Sequence, residues 1–168
     1  AIPLNPLPRS AGRRGVPPGA RAMFPGSCAG AGGGGNRLYA AISLENLASL
    51  LLRGGEPALA ALRYQEAYRL FLAVDDTQGI ASSLSGLAVA ALEGGHAATA
   101  AQVLGALSAS GASEFAEGEA LLAAEQRLRD LMGEAPYASA HALGVARPAE
   151  HVVAQAVAEL QVAAGAAS

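Results

Sequence analysis

Lysine and tryptophan are absent from this chain of 168 residues, and cysteine occurs once, at Cys28. Each absence excludes a chemistry. A Walker-type phosphate loop needs a lysine to reach the phosphates, so the glycine run at residues 32–35 is no such loop. A single cysteine permits no intramolecular disulfide and no cysteine-based metal cluster, which suits a reducing, cytoplasmic setting. The three histidines, His96, His141 and His151, lie 45 and 10 residues apart. That spacing puts no two of them one helical turn apart, and neither a metal nor any other cofactor is expected. Aromatic residues make up 4% of the chain, too few for a sheet core rich in aromatic and β-branched side chains. No apolar run approaches the roughly 20 residues of a membrane-spanning helix. Proline and arginine interrupt the apolar stretch that a signal peptide would need near the start.

What is present is alanine, leucine and glycine. Apolar residues reach 52%, and the two commonest are strong helix formers. Charge is unevenly placed: residues 1–44 hold Arg9, Arg13, Arg14, Arg21 and Arg37 with no acid, whereas the remainder holds six Arg against fourteen acids. An acidic folded part argues against direct nucleic-acid contact. The alternative kept open is a DNA-associated regulator acting through the Arg-bearing N-terminal arm. Six prolines precede residue 26 and the glycine run follows them. Proline removes backbone donors and glycine raises the entropy lost on ordering. Residues 1–36 therefore read as a disordered tail or linker, residues 37–162 as a helical domain and residues 163–168 as a flexible C-terminus.

From Asn36, an expected N-cap, apolar residues recur with a period near 3.6. Leu44, Leu47, Ala48 and Leu51 share one face of a first helix that Gly54-Gly55 ends. Glu56-Pro57 opens a second helix, proline being tolerated in the first turn, with Ala60, Tyr64, Ala67, Tyr68 and Phe71 on one face. Asp76 caps a third, where Ile80, Leu84, Leu87, Ala88 and Ala91 repeat the offsets and Gly94-Gly95 repeats the stop. A fourth begins near His96, turns Ala100, Leu104 and Leu107 inward and ends at Ser110-Gly111. A fifth helix is expected over residues 113–132, with Leu121, Leu128 and Leu131 inward. A short sixth spans residues 136–143, stopped by Gly144, and a seventh starts at Pro148 with Val152, Val153, Ala156, Val157 and Leu160 apolar.

The first four helices contain a repeat. Leu47-Ala48, Gly55, Ala60 and Tyr64 return as Leu87-Ala88, Gly95, Ala100 and Leu104, each displaced by 40 residues. Small residues at fixed intervals let paired helices approach to 8–10 Å, which makes Leu47, Ala48, Gly55, Ala60, Tyr64, Ala67, Leu87, Ala88, Gly95, Ala100 and Leu104 the packing positions. The pattern resembles the tetratricopeptide repeat. The expected architecture is all-α, about seven helices in a right-handed stack of hairpins, a tetratricopeptide-like α-solenoid.

A longer resemblance runs through Leu44-Glu45-Asn46-Leu47-Ala48, Tyr64-Gln65-Glu66-Ala67-Tyr68-Arg69-Leu70-Phe71 and Asp76-Thr77-Gln78-Gly79-Ile80-Ala81. It continues in Ala101-Gln102-Val103-Leu104-Gly105-Ala106 and Leu128-Arg129-Asp130-Leu131-Met132-Gly133-Glu134. These segments are similar to the C-terminal repeat region of bacterial ATP-dependent transcriptional regulators, of LuxR type and antibiotic-regulator type. The resemblance implies a non-catalytic module for protein-protein interaction or signal sensing, with a protein or peptide partner. Two hairpins are near the minimum for a solenoid, so exposed apolar edges are expected to favour self-association.

No catalytic constellation is visible. Ser82, Ser83 and Ser85 fall on an expected helix with no histidine near them in sequence, and Cys28 lies beside the glycine run. Glu114, Glu117 and Glu119 read as a solvated helix face. Tyr64, Tyr68 and Phe71 sit at core spacing, with the lining of a peptide groove as their alternative use.

Overall fold

Two glycine pairs set the repeat in three dimensions. In a computed structural model, which describes residues 33–116 and 118–166, Gly55 and Gly95 adopt φ of +78° and +84°. This left-handed conformation strains an L side chain and suits glycine. The Gly55 N–H donates to the Leu52 carbonyl at 3.1 Å and the Glu56 N–H to Leu51 at 2.9 Å, while Gly95 donates to Leu92 at 3.1 Å and His96 to Ala91 at 2.9 Å. Both turns thus close the carbonyls that a helix end leaves open, by the same bonds one repeat apart.

Among the described residues the chain forms seven α-helices and one 3₁₀ turn: α1 Gly34–Arg53, α2 Pro57–Ala73, α3 Thr77–Glu93, α4 Ala97–Ala109, the 3₁₀ turn Ser113–Phe115, α5 Glu119–Met132, α6 Glu134–Ala146 and α7 Ala149–Ala166. Pro57 opens α2, and the Asp76 side chain accepts from the Gly79 N–H at 3.0 Å to cap α3. The α2–α3 turn places a non-glycine residue, Asp75, at φ +52°.

The first four helices pack on their neighbours in chain order. Helix α1 packs on α2, α2 on α3 and α3 on α4, and α1 also meets α3. At the crossings Ala48, Ala60, Ala88 and Ala100 are at most 1% exposed. Leu47, Tyr64, Ala67, Leu87 and Leu104 are buried with them. Leu44 and Ile80 are half-buried against a small cluster of Ala41, Ala67 and Phe71.

Beyond α4 the chain stops adding hairpins in line. Helix α6 lies along α4, and α7 returns across both α2 and α4. Val152, Val153, Ala156, Val157 and Leu160 carry that return as a buried stripe. The Gln161 amide donates to the Ala58 carbonyl at 2.8 Å, tying the last helix to the start of α2.

Several local expectations change. Helix α1 begins at Gly34 with Gly33 as N-cap, so Asn36 lies inside the first turn, and residues 34–36 belong to the helix. Residues 1–32, with Arg9, Arg13, Arg14, Arg21 and Cys28, lie outside the described residues, as does Glu117. The fifth helix starts at Glu119, behind a 3₁₀ turn and an extended Gly118. Leu131 is 63% exposed, because Met132, four residues beyond buried Leu128, continues the inward stripe. Gly144 does not stop α6, which runs to Ala146; it is instead the point of closest approach to α4. A Cβ on Gly144 would lie 1.9 Å from the Gln102 carbonyl oxygen, and one on Gly105 would lie 2.0 Å from that of His141. Helix α7 continues through residues 163–166.

Candidate functional site

The α1–α3 layer leaves a groove. Its far wall is α3, where Gly79, Ser82 and Gly86 fall at offsets of three and four residues and so share a face. The two glycines have no Cβ because aromatic rings of α2 lie against them: a Cβ on Gly79 would stand 2.1 Å from the Phe71 ring, and one on Gly86 would stand 2.3 Å from the Tyr64 ring. Both rings therefore reach through the α1–α3 seam and form part of the groove lining. The groove has a volume of ≈ 700 Å³.

Helix α1 supplies the near wall with Ile42, Glu45, Ser49 and Leu52. Two hydrogen bonds join the helices here, one within the α1–α3 layer and one from α1 to α2. The Ser82 hydroxyl donates to the Glu45 carboxylate, and Ser49 Oγ lies 3.1 Å from Tyr64 Oη. Burial raises the Glu45 carboxyl above its usual range, against the lowering effect of the Ser82 bond, with Asp76 raising it further. Burial likewise raises the Tyr64 phenol, which stays protonated as a hydrogen-bond donor or acceptor. Phe115, half exposed, and Leu121 complete an apolar rim from the 3₁₀ turn and α5. A polar floor between apolar walls can hold an extended or helical segment by its side chains, with hydrogen bonds fixing the register.

The repeat positions read from the sequence lie beneath this groove more than in it. Tyr64 alone does both, buried in the core while lining the groove; Tyr68 is core only. Phe71 lines it from a second apolar cluster. Glu45, Ser49, Ser82 and Gly86 were not singled out as site residues. Ser82 and Gly86 belong to a run of small and polar side chains on α3 in a chain otherwise dominated by Ala and Leu, whereas Glu45 and Ser49 carry no such mark on α1.

The remaining candidates disperse. Ser85 donates to the Ala81 carbonyl of its own helix at 2.8 Å, whereas the Ser83 hydroxyl is buried without a partner. His96 caps α4, with Nδ1 3.9 Å from Glu159; His151 is exposed. His141 Nε2 lies 3.2 Å from the Ser108 hydroxyl. Among the described residues no three His, Cys, Asp or Glu side chains are grouped to hold a metal ion, and no helix is long and apolar enough to cross a membrane. Glu114 and Glu119 are exposed. Compared with known proteins, the chain matches no family model, no curated protein and no solved structure.

Proposed function

We infer that this chain is a non-catalytic helical-repeat module that binds a protein segment in the α1–α3 groove. The observation that carries the reading is the groove's construction. Two glycines of α3 admit the Tyr64 and Phe71 rings to the lining, while Glu45, Ser49 and Ser82 present a hydrogen-bonded polar strip between apolar walls. A hairpin stack that needed only to pack would gain nothing from a half-buried carboxylate there, because burying a charge costs stability unless it is used. The tetratricopeptide-like spacing of Ala48, Gly55, Ala60 and their partners 40 residues on supports the same reading.

The test is selection of peptides from a random displayed library on the folded chain, followed by calorimetric titration of the winners. Ile42→Glu and Ser82→Arg, both at exposed groove positions, are expected to weaken the selected peptides at least about tenfold, equal to about 1.4 kcal/mol, with the melting temperature unchanged. Peptides that bind both variants as well as the parent overturn the groove assignment.

We further propose that the module is cytoplasmic and forms the C-terminal sensing arm of a bacterial ATP-dependent transcriptional regulator. The support for this is the resemblance to that group of the successive segments from Leu44-Glu45-Asn46-Leu47-Ala48 to Leu128-Arg129-Asp130-Leu131-Met132-Gly133-Glu134. An in-frame nucleotide-binding domain encoded upstream is the expected finding. A coding region without one overturns this part and leaves the groove reading standing.

A further inference from the structure

Two charged features of the chain are left without a role. Residues 1–32 hold Arg9, Arg13, Arg14 and Arg21 and no acid. The α1–α3 groove is lined by two acids, Glu45 and Asp76, against one cation, Arg53. These charges are separated along the groove. Arg53 follows Glu45 by eight residues of α1, about 12 Å along the helix axis. Asp76 lies at the Glu45 end, where burial raises the Glu45 carboxyl and Asp76 raises it further.

Neither acid has a cationic partner among the described residues. The arginine–carboxylate pairs there join Arg63 to Glu66, Arg127 to Glu93, and Arg129 to Glu125 and Glu134. Glu45 Oε1 accepts from the Ser82 hydroxyl, and Asp76 Oδ1 accepts from the Gly79 N–H at 3.0 Å. The second oxygen of each carboxylate is left for a donor from outside. A half-buried carboxylate without a cation is costly to hold, and a guanidinium carries enough donors to meet both acids at once. The apolar surface beside them comes from Ile42, 42% exposed, the Phe71 ring and Phe115, 50% exposed. An occupant that suits this end brings an arginine with bulky apolar side chains close behind it.

The chain ahead of α1 contains one such segment, Arg21-Ala22-Met23-Phe24. Arg9, Arg13 and Arg14 are followed within three residues by no apolar side chain larger than Val16. The tether is also long enough. Phe24 precedes Gly34, the first residue of α1, by ten residues, a reach of up to about 33 Å. Glu45 lies eleven residues beyond Gly34, about 16 Å along the helix axis. A segment held at that range has an effective concentration on the order of 1 mM, so a modest intrinsic affinity is enough to occupy the groove.

We propose that residues 21–24 of this chain are the groove's own occupant, with the Arg21 guanidinium on Glu45 and Asp76 and with Met23 and Phe24 on the apolar surface of Ile42, Phe71 and Phe115. A partner segment enters by displacing this one, so the inference rests on the reading of the groove as a protein-segment site.

The experiment uses the full chain and compares backbone amide shifts of the parent with those of Arg21→Glu/Phe24→Ser. The Glu45, Ser82 and Gly86 signals are expected to differ between the two, and the Val157 signal of α7 to coincide. A synthetic peptide of residues 19–27, added to the variant, is expected to return the groove signals toward their parental positions with a Kd at or below about 1 mM. Adding Glu45→Gln and Asp76→Asn is expected to weaken that peptide at least about tenfold, asparagine preserving the cap of α3. Library peptides selected for the groove are expected to bind Arg21→Glu/Phe24→Ser at least about twofold more tightly than the parent, because the tethered competitor is gone. Coincident groove signals in parent and variant, or a peptide of residues 19–27 that binds equally well without the two carboxylates, overturns the proposal and leaves the groove reading standing. Library peptides that bind Ile42→Glu and Ser82→Arg as tightly as the parent overturn the groove reading, and the displacement with it.

Discussion

Replacing Gly144 with alanine adds one methyl group where two helix backbones touch. The added Cβ would stand 1.9 Å from the Gln102 carbonyl oxygen and 2.7 Å from its carbonyl carbon. Ordinary contact begins near 3.4 Å, so α6 must retreat from α4 by about 1.5 Å, since a backbone, unlike a side chain, has no rotamer to escape into. That retreat loosens Tyr137 and Ala140, which α6 buries beside Gly144. Overpacking of this kind costs about 1–3 kcal/mol, and backbone clash belongs at the upper end. Alanine's better helix propensity returns about 1 kcal/mol. The net loss is about 2 kcal/mol, or about 4–8 °C in Tm for a chain of this size. Calorimetry and urea titration measure it directly. Gly105→Ala, whose Cβ would lie 2.0 Å from the His141 carbonyl oxygen, should cost a similar amount, and the double variant less than the two combined, because the first methyl has already parted the helices. Gly165→Ala meets nothing within 4 Å and should be neutral or slightly stabilising. Gly144→Ala with an unchanged or raised Tm would refute the close crossing.

Four further outcomes follow from single features. Asp75 sits at φ +52°, so Asp75→Gly should raise stability by about 0.5–1 kcal/mol by relieving left-handed strain; a loss in thermal unfolding would contradict that backbone. Ser83→Ala removes a buried hydroxyl that has no partner and should stabilise by about 1 kcal/mol; destabilisation would mean that the oxygen is hydrogen-bonded after all. Glu45, its carboxyl raised mainly by burial, binds its proton more tightly folded than unfolded, so its contribution to stability falls as pH rises through the folded pKa. Glu45→Gln lacks this loss, and its stability relative to the parent should therefore be higher at pH 7 than at pH 4; equal differences in denaturant titrations at the two pH values would argue against burial. Tyr39 and Leu50, 73% and 46% exposed on α1, should drive concentration-dependent association seen by light scattering, reduced in Tyr39→Glu/Leu50→Glu; a strict monomer at all concentrations would rule this out.

The repeat was legible because it is written in local chemistry. Gly55 and Gly95 mark turns that demand positive φ, Asp76 marks a cap, and Ala at four crossings marks close approach; each needs only its own neighbourhood to be read. Gly144 was misread for the opposite reason. A glycine inside a helical pattern signals a stop when only the chain on either side is considered, and its actual cause, the backbone of α4, lies about 40 residues away in sequence. Leu131 failed similarly, since the choice between it and Met132 as the inward residue depends on where α5 meets its neighbours. The groove was least legible. Glu45 and Ser82 are 37 residues apart, and neither is unusual on its own helix.

Helix α7 explains why the open face is the one that α1 and α3 present. In a stack of hairpins both layers have a free surface, and both could serve a partner. Here the return of α7 across α2 and α4 buries Val152, Val153, Ala156, Val157 and Leu160, and α6 occupies the rest of α4 through the Gly105–Gly144 contact. At roughly 25 cal/mol per Å² of apolar surface removed from water, that stripe stabilises two hairpins that would otherwise be short for independence. The same coverage hides much of the α2–α4 layer from a protein segment. On the proposed reading a protein segment meets the opposite layer, and that is where the half-buried carboxylate, the small α3 residues and the lining rings occur together.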